Sequence, residues 1–183
     1  TNEAKNAIQV IQEFTKQEIS KENILGNIIE IIRVDEKQYI SMTFELKDKK
    51  TRFYLSNGGE EYPKSFFAEI DVECLDFDLT TIDKKVYLAA VCRSSEKDIL
   101  AGLTLDLETK KSTGETIQWS LEKEYTHVEI SKVVNGHYYL FLSNLPHDIL
   151  DVYSVRDLSK GNTLTNVIKL TEGKLEIKIF HFY

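Results

Sequence analysis

Three of the four histidines, His127, His137 and His147, recur at intervals of ten, a regularity that invites a metal reading. The surrounding chain argues against convergence. His127 falls within an expected strand, His137 opens the next, and His147 lies in the Pro-containing turn "NLPHD". No Cys or carboxylate stands at a ligand-like spacing from them, so solvated or singly bonded imidazoles are expected and no metal is assigned. The acidic series Asp71, Glu73, Asp76 and Asp78 offers the oxygens that calcium takes, but without an Asp-x-Asp-x-Asp-Gly loop. Its alternation with Ile70, Val72, Cys74 and Phe77 is that of a half-exposed strand. The glycine-rich "SNGGEEYP" at 56–63 lies between two strands rather than ahead of a helix, and reads as a loop, not a phosphate cradle. Gly-x-Ser-x-Gly, P-loop and Gly-x-Gly-x-x-Gly patterns do not occur. No catalytic residue, cofactor or metal is assigned, and a non-enzymatic role is expected.

Cys74 and Cys92 are the only cysteines. Two in 183 residues do not make a disulfide framework, no CxxC occurs, and both lie in apolar strand-like runs, so buried free thiols are expected. With no Asn-x-Ser/Thr sequon either, the sequence leans towards an intracellular setting. A formal charge of −7 argues against nucleic acid, which needs concentrated Lys and Arg. The short basic runs "KDKK" and "TKK" fall at expected turns and read as solvated loop tips. No apolar run approaches the roughly 20 residues of a membrane span, so none is expected.

The elements that would position any site are of two kinds. In residues 1–25, Ala4, Ala7, Ile8, Ile11 and Phe14 recur at three- and four-residue steps, which predicts one N-terminal amphipathic helix and a linker. Residues 26–183 alternate with period two and are broken by polar turns, which predicts an antiparallel all-β domain. Strands are expected near 27–34, 38–46, 51–56, 66–72, 75–80, 85–93, 99–107, 116–121, 124–131, 138–143, 149–156, 165–170 and 174–182. The alternating face switches between Ile70, Val72, Cys74 and Leu75, Phe77, Leu79, which a tight hairpin or a bulge accounts for. Tyr138, Tyr139, Phe141, Phe180, Phe182 and Tyr183 read as core and strand-face packing. The apolar "IFHFY" should be paired rather than left as a bare edge, which suggests that it docks against something.

"DILAGLTLDLET" at 98–109 returns as "DILDVYSVRDLS" at 148–159. Each follows a Tyr-bearing strand ("KVYLAAV", "HYYLFLS") and precedes two more, and a looser copy lies upstream. Three blade-like repeats of about 49 residues result, near 35–83, 84–134 and 135–183. A meander of such units resembles the blades of a β-propeller, at the level of architecture and of Asp-Leu strand endings only, and implies a partial propeller. A helix followed by an antiparallel meander also resembles lipocalin-like barrels in size, although the Gly-x-Trp of that family is absent; a closed β-barrel or a β-sandwich is the alternative fold.

Three blades leave two apolar faces open, so the chain is expected either to form part of a larger polypeptide or to join a second copy or another protein. The leading expectation is a protein-binding or scaffolding module working through a protein partner or self-association. The helix face Ile8, Ile11 and Phe14 either packs over the chain's own sheet or contacts that partner. The alternatives are a barrel-type carrier of a small apolar ligand and a fragment of a propeller-type hydrolase.

Overall fold

The computed structural model describes residues 26–58, 65–133, 138–155 and 165–169. The predicted N-terminal helix, with Ile8, Ile11 and Phe14, lies outside the described residues, as do His137, His181 and the expected strand at 174–182.

The described chain is all-β. Its first sheet contains β1 (Asn27–Arg33), β2 (Gln38–Glu45), β3 (Lys50–Asn57) and β4 (Ser65–Ile70) in chain order. The middle sheet contains β5 (Glu73–Ile82), β6 (Lys85–Arg93) and β7 (Ile99–Asp106), with β8 (Lys111–Ser112) and β9 (Ile117–Ser120) both paired to β7. These two short strands share the fourth position, one against Leu105–Asp106 and the other against Ile99–Gly102. The third sheet contains β10 (His127–Ile130), β11 (Tyr138–Asn144), β12 (Ile149–Val155) and β13 (Thr165–Lys169). A 3₁₀ turn, Leu145–His147, joins β11 to β12. Among the described residues all pairings are antiparallel, and none of the sheets closes on itself. A closed barrel, one of the two alternative folds drawn from the sequence beside a β-sandwich, is therefore not what the described strands form, and a barrel-type carrier loses the enclosure it needs.

The turns explain why the strands stop where they do. Asp35 Oδ1 accepts the N–H groups of Lys37 and Gln38, both at 2.8 Å, and Asp106 Oδ1 those of Glu108 and Thr109 at 2.8 and 2.9 Å. Carboxylates held this way compete with ladder pairing and fix the reversal. Lys49, Asp83, Lys110 and Asp148 take left-handed backbone at or beside turns. The basic runs sit at the β2–β3 and β7–β8 turns, as expected. Gly26 is required before β1: its φ is +94°, and a Cβ there would lie 2.5 Å from the Phe44 carbonyl oxygen.

The middle sheet is sandwiched. Its face towards the first sheet contributes Cys74, Phe77, Val86, Leu88 and Leu103 to a core that also contains Ile40, Met42, Phe53, Phe67 and Ile70. Its opposite face contributes Ala89, Val91 and Leu100 to a second core with Leu121, Tyr125, Val128, Tyr138, Leu140 and Leu142. At its centre Ala89 opposes Gly102 and Ala90 opposes Ala101, so small side chains let both flanking sheets approach closely.

The switch of face near residue 74 is a bulge: pairing between β5 and β6 slips between Cys74 and Asp76. No hairpin turn is needed at Asp71–Val72, because there the chain leaves the first sheet for the middle one. The sheets also begin one strand earlier than the sequence units, since β1, β5 and β10 each open a sheet.

The free-thiol expectation is overturned. Cys74 and Cys92 face each other across β5 and β6 and form a disulfide buried in the first core. The slip at Cys74 brings them opposite one another. Disulfides form and persist in oxidising compartments, so the intracellular lean loses one of its two supports.

Candidate functional site

The strands that open the three sheets lie beside one another and carry acids on the face turned towards the next sheet. On β1, Glu30 opposes Met42, a residue of the first core. On β5, Asp76 and Asp78 oppose Val91 and Ala89, which belong to the second core. Each acid reaches across to the edge of the following opening strand. Glu30 Oε2 accepts the Phe77 N–H at 3.2 Å, Asp76 Oδ2 that of Val128 at 2.8 Å, and Asp78 Oδ2 that of Ile130 at 2.7 Å. An opening strand has a ladder partner on one side only, so alternate N–H groups on its other edge would be left bare. Here side-chain carboxyl groups occupy them, and where the carboxyl is ionised the bond is stronger than a neutral pair.

Burial raises the Glu30 carboxyl to about 8, helped by its hydrogen bond to Asp76 and by the charge on that residue, against the Phe77 N–H. Two carboxyls in contact cannot both ionise cheaply, so the pair holds a proton at neutral pH. Asp78 is raised to about 6, mainly by burial, with the N–H groups of Ile130 and Leu79 pulling the other way. The sign follows from linkage. Between the ordinary glutamate value of 4.5 and about 8, the folded chain keeps a proton that the unfolded chain has lost, so stability falls as pH rises through that window. Glu30→Gln imitates the protonated form. It is expected to match the native sequence near pH 4.5 and to exceed it in stability at pH 9. Urea melts across that range check this, and parallel pH profiles for the two proteins would disprove it.

A second polar cluster ties down the segment between the middle and third sheets. Asp151 on β12 is 1% exposed; its Oδ2 accepts from Tyr125 Oη at 2.5 Å and from Lys123 Nζ at 2.7 Å. Tyr125 Oη also lies 3.3 Å from Tyr153 Oη, and its ionisation is pushed far up by burial and by Asp151. The Leu121 N–H donates to the Asp98 carbonyl, Thr126 N–H to the Ser143 carbonyl and Asn144 Nδ2 to the Glu124 carbonyl. A phenol driven away from ionisation beside an ion-paired carboxylate is no nucleophile. The cluster anchors the crossing between sheets.

The third sheet ends the described stack. On β11, Tyr138, Leu140 and Leu142 are buried towards the middle sheet, while Tyr139 and Phe141 point the other way and are 40% and 38% exposed. Of the aromatics expected to pack in the core and on strand faces, Tyr138 is in the core and Tyr139 and Phe141 stand on the outward face, while Phe180, Phe182 and Tyr183 lie outside the described residues. Glu129 on β10 opposes Phe141, so it stands on this outward face, as Glu30, Asp76 and Asp78 stand on theirs, and it is exposed.

Comparison with protein-family models, curated proteins and solved structures finds no match.

Among the described residues no group of three or more His, Cys, Asp or Glu side chains comes together as metal ligands would, and His137 lies outside them. His127 is exposed on β10 with Nδ1 2.8 Å from Thr126 Oγ1, and His147 is in the 3₁₀ turn. In the acidic series, Asp71 and Glu73 are exposed, whereas Asp76 and Asp78 hold the edge of β10. Sequence reasoning missed that role and missed Glu30 altogether. A signal was present: an acid between two apolar residues recurs as Ile29-Glu30-Ile31, Leu75-Asp76-Phe77 and Val128-Glu129-Ile130.

Proposed function

We propose that the chain is a protein-binding or scaffolding module whose sheets are blades of an incomplete propeller, and that it works by accepting a further β unit on the outward face of the third sheet. The supporting observation is the forward-facing carboxylate. At two successive joints such acids hold the next opening strand, and Glu129 repeats the placement beside exposed Tyr139 and Phe141. An apolar face of this kind, ready-shaped for the stacking seen twice within the chain, is a docking surface rather than a catalytic one.

Light scattering over a wide concentration range tests the reading. The native sequence is expected to self-associate through this face, and Phe141→Asp to remain at the mass of one copy. A native chain that stays monomeric throughout, indistinguishable from the variant, would count against the module.

A further inference from the structure

We propose that the joint between the first and middle sheets is a proton-held latch: Glu30 and Asp76 share one proton while the joint is closed, and loss of that proton lets β1 part from the edge of β5. The latch lies away from the outward face of the third sheet and stands whether or not a partner docks there.

Its first support is how little holds this joint. The edge of β10 is fastened to β5 by two bonds, from Val128 to Asp76 at 2.8 Å and from Ile130 to Asp78 at 2.7 Å. Among the described residues, the edge of β5 is fastened to β1 by one side-chain bond, from Phe77 to Glu30 at 3.2 Å. β1 is irregular beside that bond, where its pairing with β2 slips between Ile28 and Glu30.

The second support is that the acid at this joint rests against another acid with no cation facing it. From β2 the same face presents Ile40, Met42 and Phe44, and on β1 itself Ile32 flanks Glu30. Arg33 stands on the opposite face with Tyr39, and its Nε donates to the Asp35 carbonyl. From β5 come only acids, Asp76 in hydrogen-bond contact and the charge of Asp78 beyond it. Asp76 is flanked on β6 by Val91 and Ala89; Arg93, further along, opposes exposed Glu73 and is engaged by Asp98 at 2.5 Å and Glu124 at 3.7 Å. On β10, Glu129 adds its negative charge beside Asp78. Two carboxyls so placed cannot both ionise cheaply, and ionising both sets repulsion across the joint. Asp76 is fastened on its far side to Val128, so Glu30 is the one to withdraw.

The third support is what stays behind. The Phe77 ring meets Phe53 edge-on within the first core, so the N–H of Phe77 can be released without the ring leaving its place. Opening is thus confined to β1 and bares a main-chain donor on β5 to which an incoming strand could pair. The sign follows from the two states of Glu30. Closed, its carboxyl is held up to about 8; parted, it returns to water and its ordinary 4.5. The latch is fully held below 4.5, weakens as pH rises towards 8, and changes no further above that.

Residue-resolved amide hydrogen exchange on the full chain, with the intrinsic pH dependence of exchange divided out, tests the latch. Between pH 5 and 8, protection of the Phe77 N–H is expected to fall about tenfold per pH unit, as one proton lost on opening implies, and to level off above about 8. Glu30→Gln, which has no proton to lose, should keep Phe77 protected and flat over the same range. Asp76→Asn should make the profile level off at lower pH, because burial remains while the neighbouring charge is gone. The second joint is the control: the window of Asp78 ends at about 6, so the Ile130 N–H should hold steady from 6 to 8 while Phe77 is still losing protection. Dilute urea should lower the protection of Leu88, in the middle of β6, and leave that of Phe77 unchanged, marking the opening as local. A pH-flat Phe77 in the native chain would overturn the latch. So would a slope that persists in Glu30→Gln, a profile unmoved by Asp76→Asn, or a Phe77 that follows Leu88 in urea, which would make the loss global.

Discussion

Phe53→Ala is expected to lower stability by about 3–5 kcal/mol, a large share of the roughly 5–15 kcal/mol available to a domain. Phe53 on β3 is fully buried and sits where three strands from two sheets meet. Its ring meets Phe77 of the middle sheet edge-on, with centroids 5.6 Å apart and planes at 81°, and Phe67 of its own sheet at 6.2 Å. Truncation removes the transfer energy of the ring, leaves a cavity between rigid sheets, and forfeits the edge contact, worth about 0.5–1.5 kcal/mol by itself. Phe66, one residue from Phe67, is the control: it is 51% exposed and pairs with Tyr54 on the other side of the sheet. Phe66→Ala should therefore cost much less. Urea melts of both variants check the contrast, and equal costs would show that the interface between the first two sheets is not where the stability lies.

Removing the disulfide is expected to cost about 3 kcal/mol, the loss of the constraint that a bridge closing a loop of this size places on the unfolded chain. Cys74 and Cys92 are 18 residues apart in sequence, and the hairpin they close is the central one of the molecule. Both sulfurs lie inside the core between the first and middle sheets, so Cys74→Ala with Cys92→Ala is the variant to use: serine would bury two hydroxyls. The native protein should unfold at lower denaturant when reductant is present, whereas the double variant should be indifferent to it. Two titratable thiols in the folded, unreduced protein would show that the bridge does not form.

Most strands were legible because they alternate with period two or, as in β3, β6 and β7, which are buried on both faces, form short apolar runs bounded by turns. The two-residue β8 fell within an expected turn. The expected span 85–93 is β6 residue for residue, and 38–46 differs from β2 by one. The switch of face between Cys74 and Phe77 was legible too, with a tight hairpin or a bulge as its cause, and the register slip between Cys74 and Asp76 makes it a bulge. The disulfide required one step more, counting register outward from the β5–β6 turn; only with the slip at Cys74 does Cys92, rather than Arg93, stand opposite. The acids were harder. A carboxylate between two apolar residues reads as an ordinary exposed position until the neighbouring sheet is known to bring a bare strand edge against it. Asp98 and Asp148 show the converse, that matching letters need not mean matching work. Both precede the third strand of their sheet, yet Asp98 pairs with Arg93 at 2.5 Å while Asp148 closes a 3₁₀ turn with left-handed backbone.

The row of acids has a consequence for symmetry. Every joint between sheets has a carboxylate side and an N–H side, and the order never reverses along the described chain. The stack is therefore polar, with a head unlike its tail. Two copies related by a two-fold axis through this face would set Glu129 against Glu129, charge on charge. Association that reuses the joint must run head to tail, and such heterologous contacts either come round into a closed ring or continue as a fibre. Whether the stack ends in one or the other depends on the angle between successive sheets.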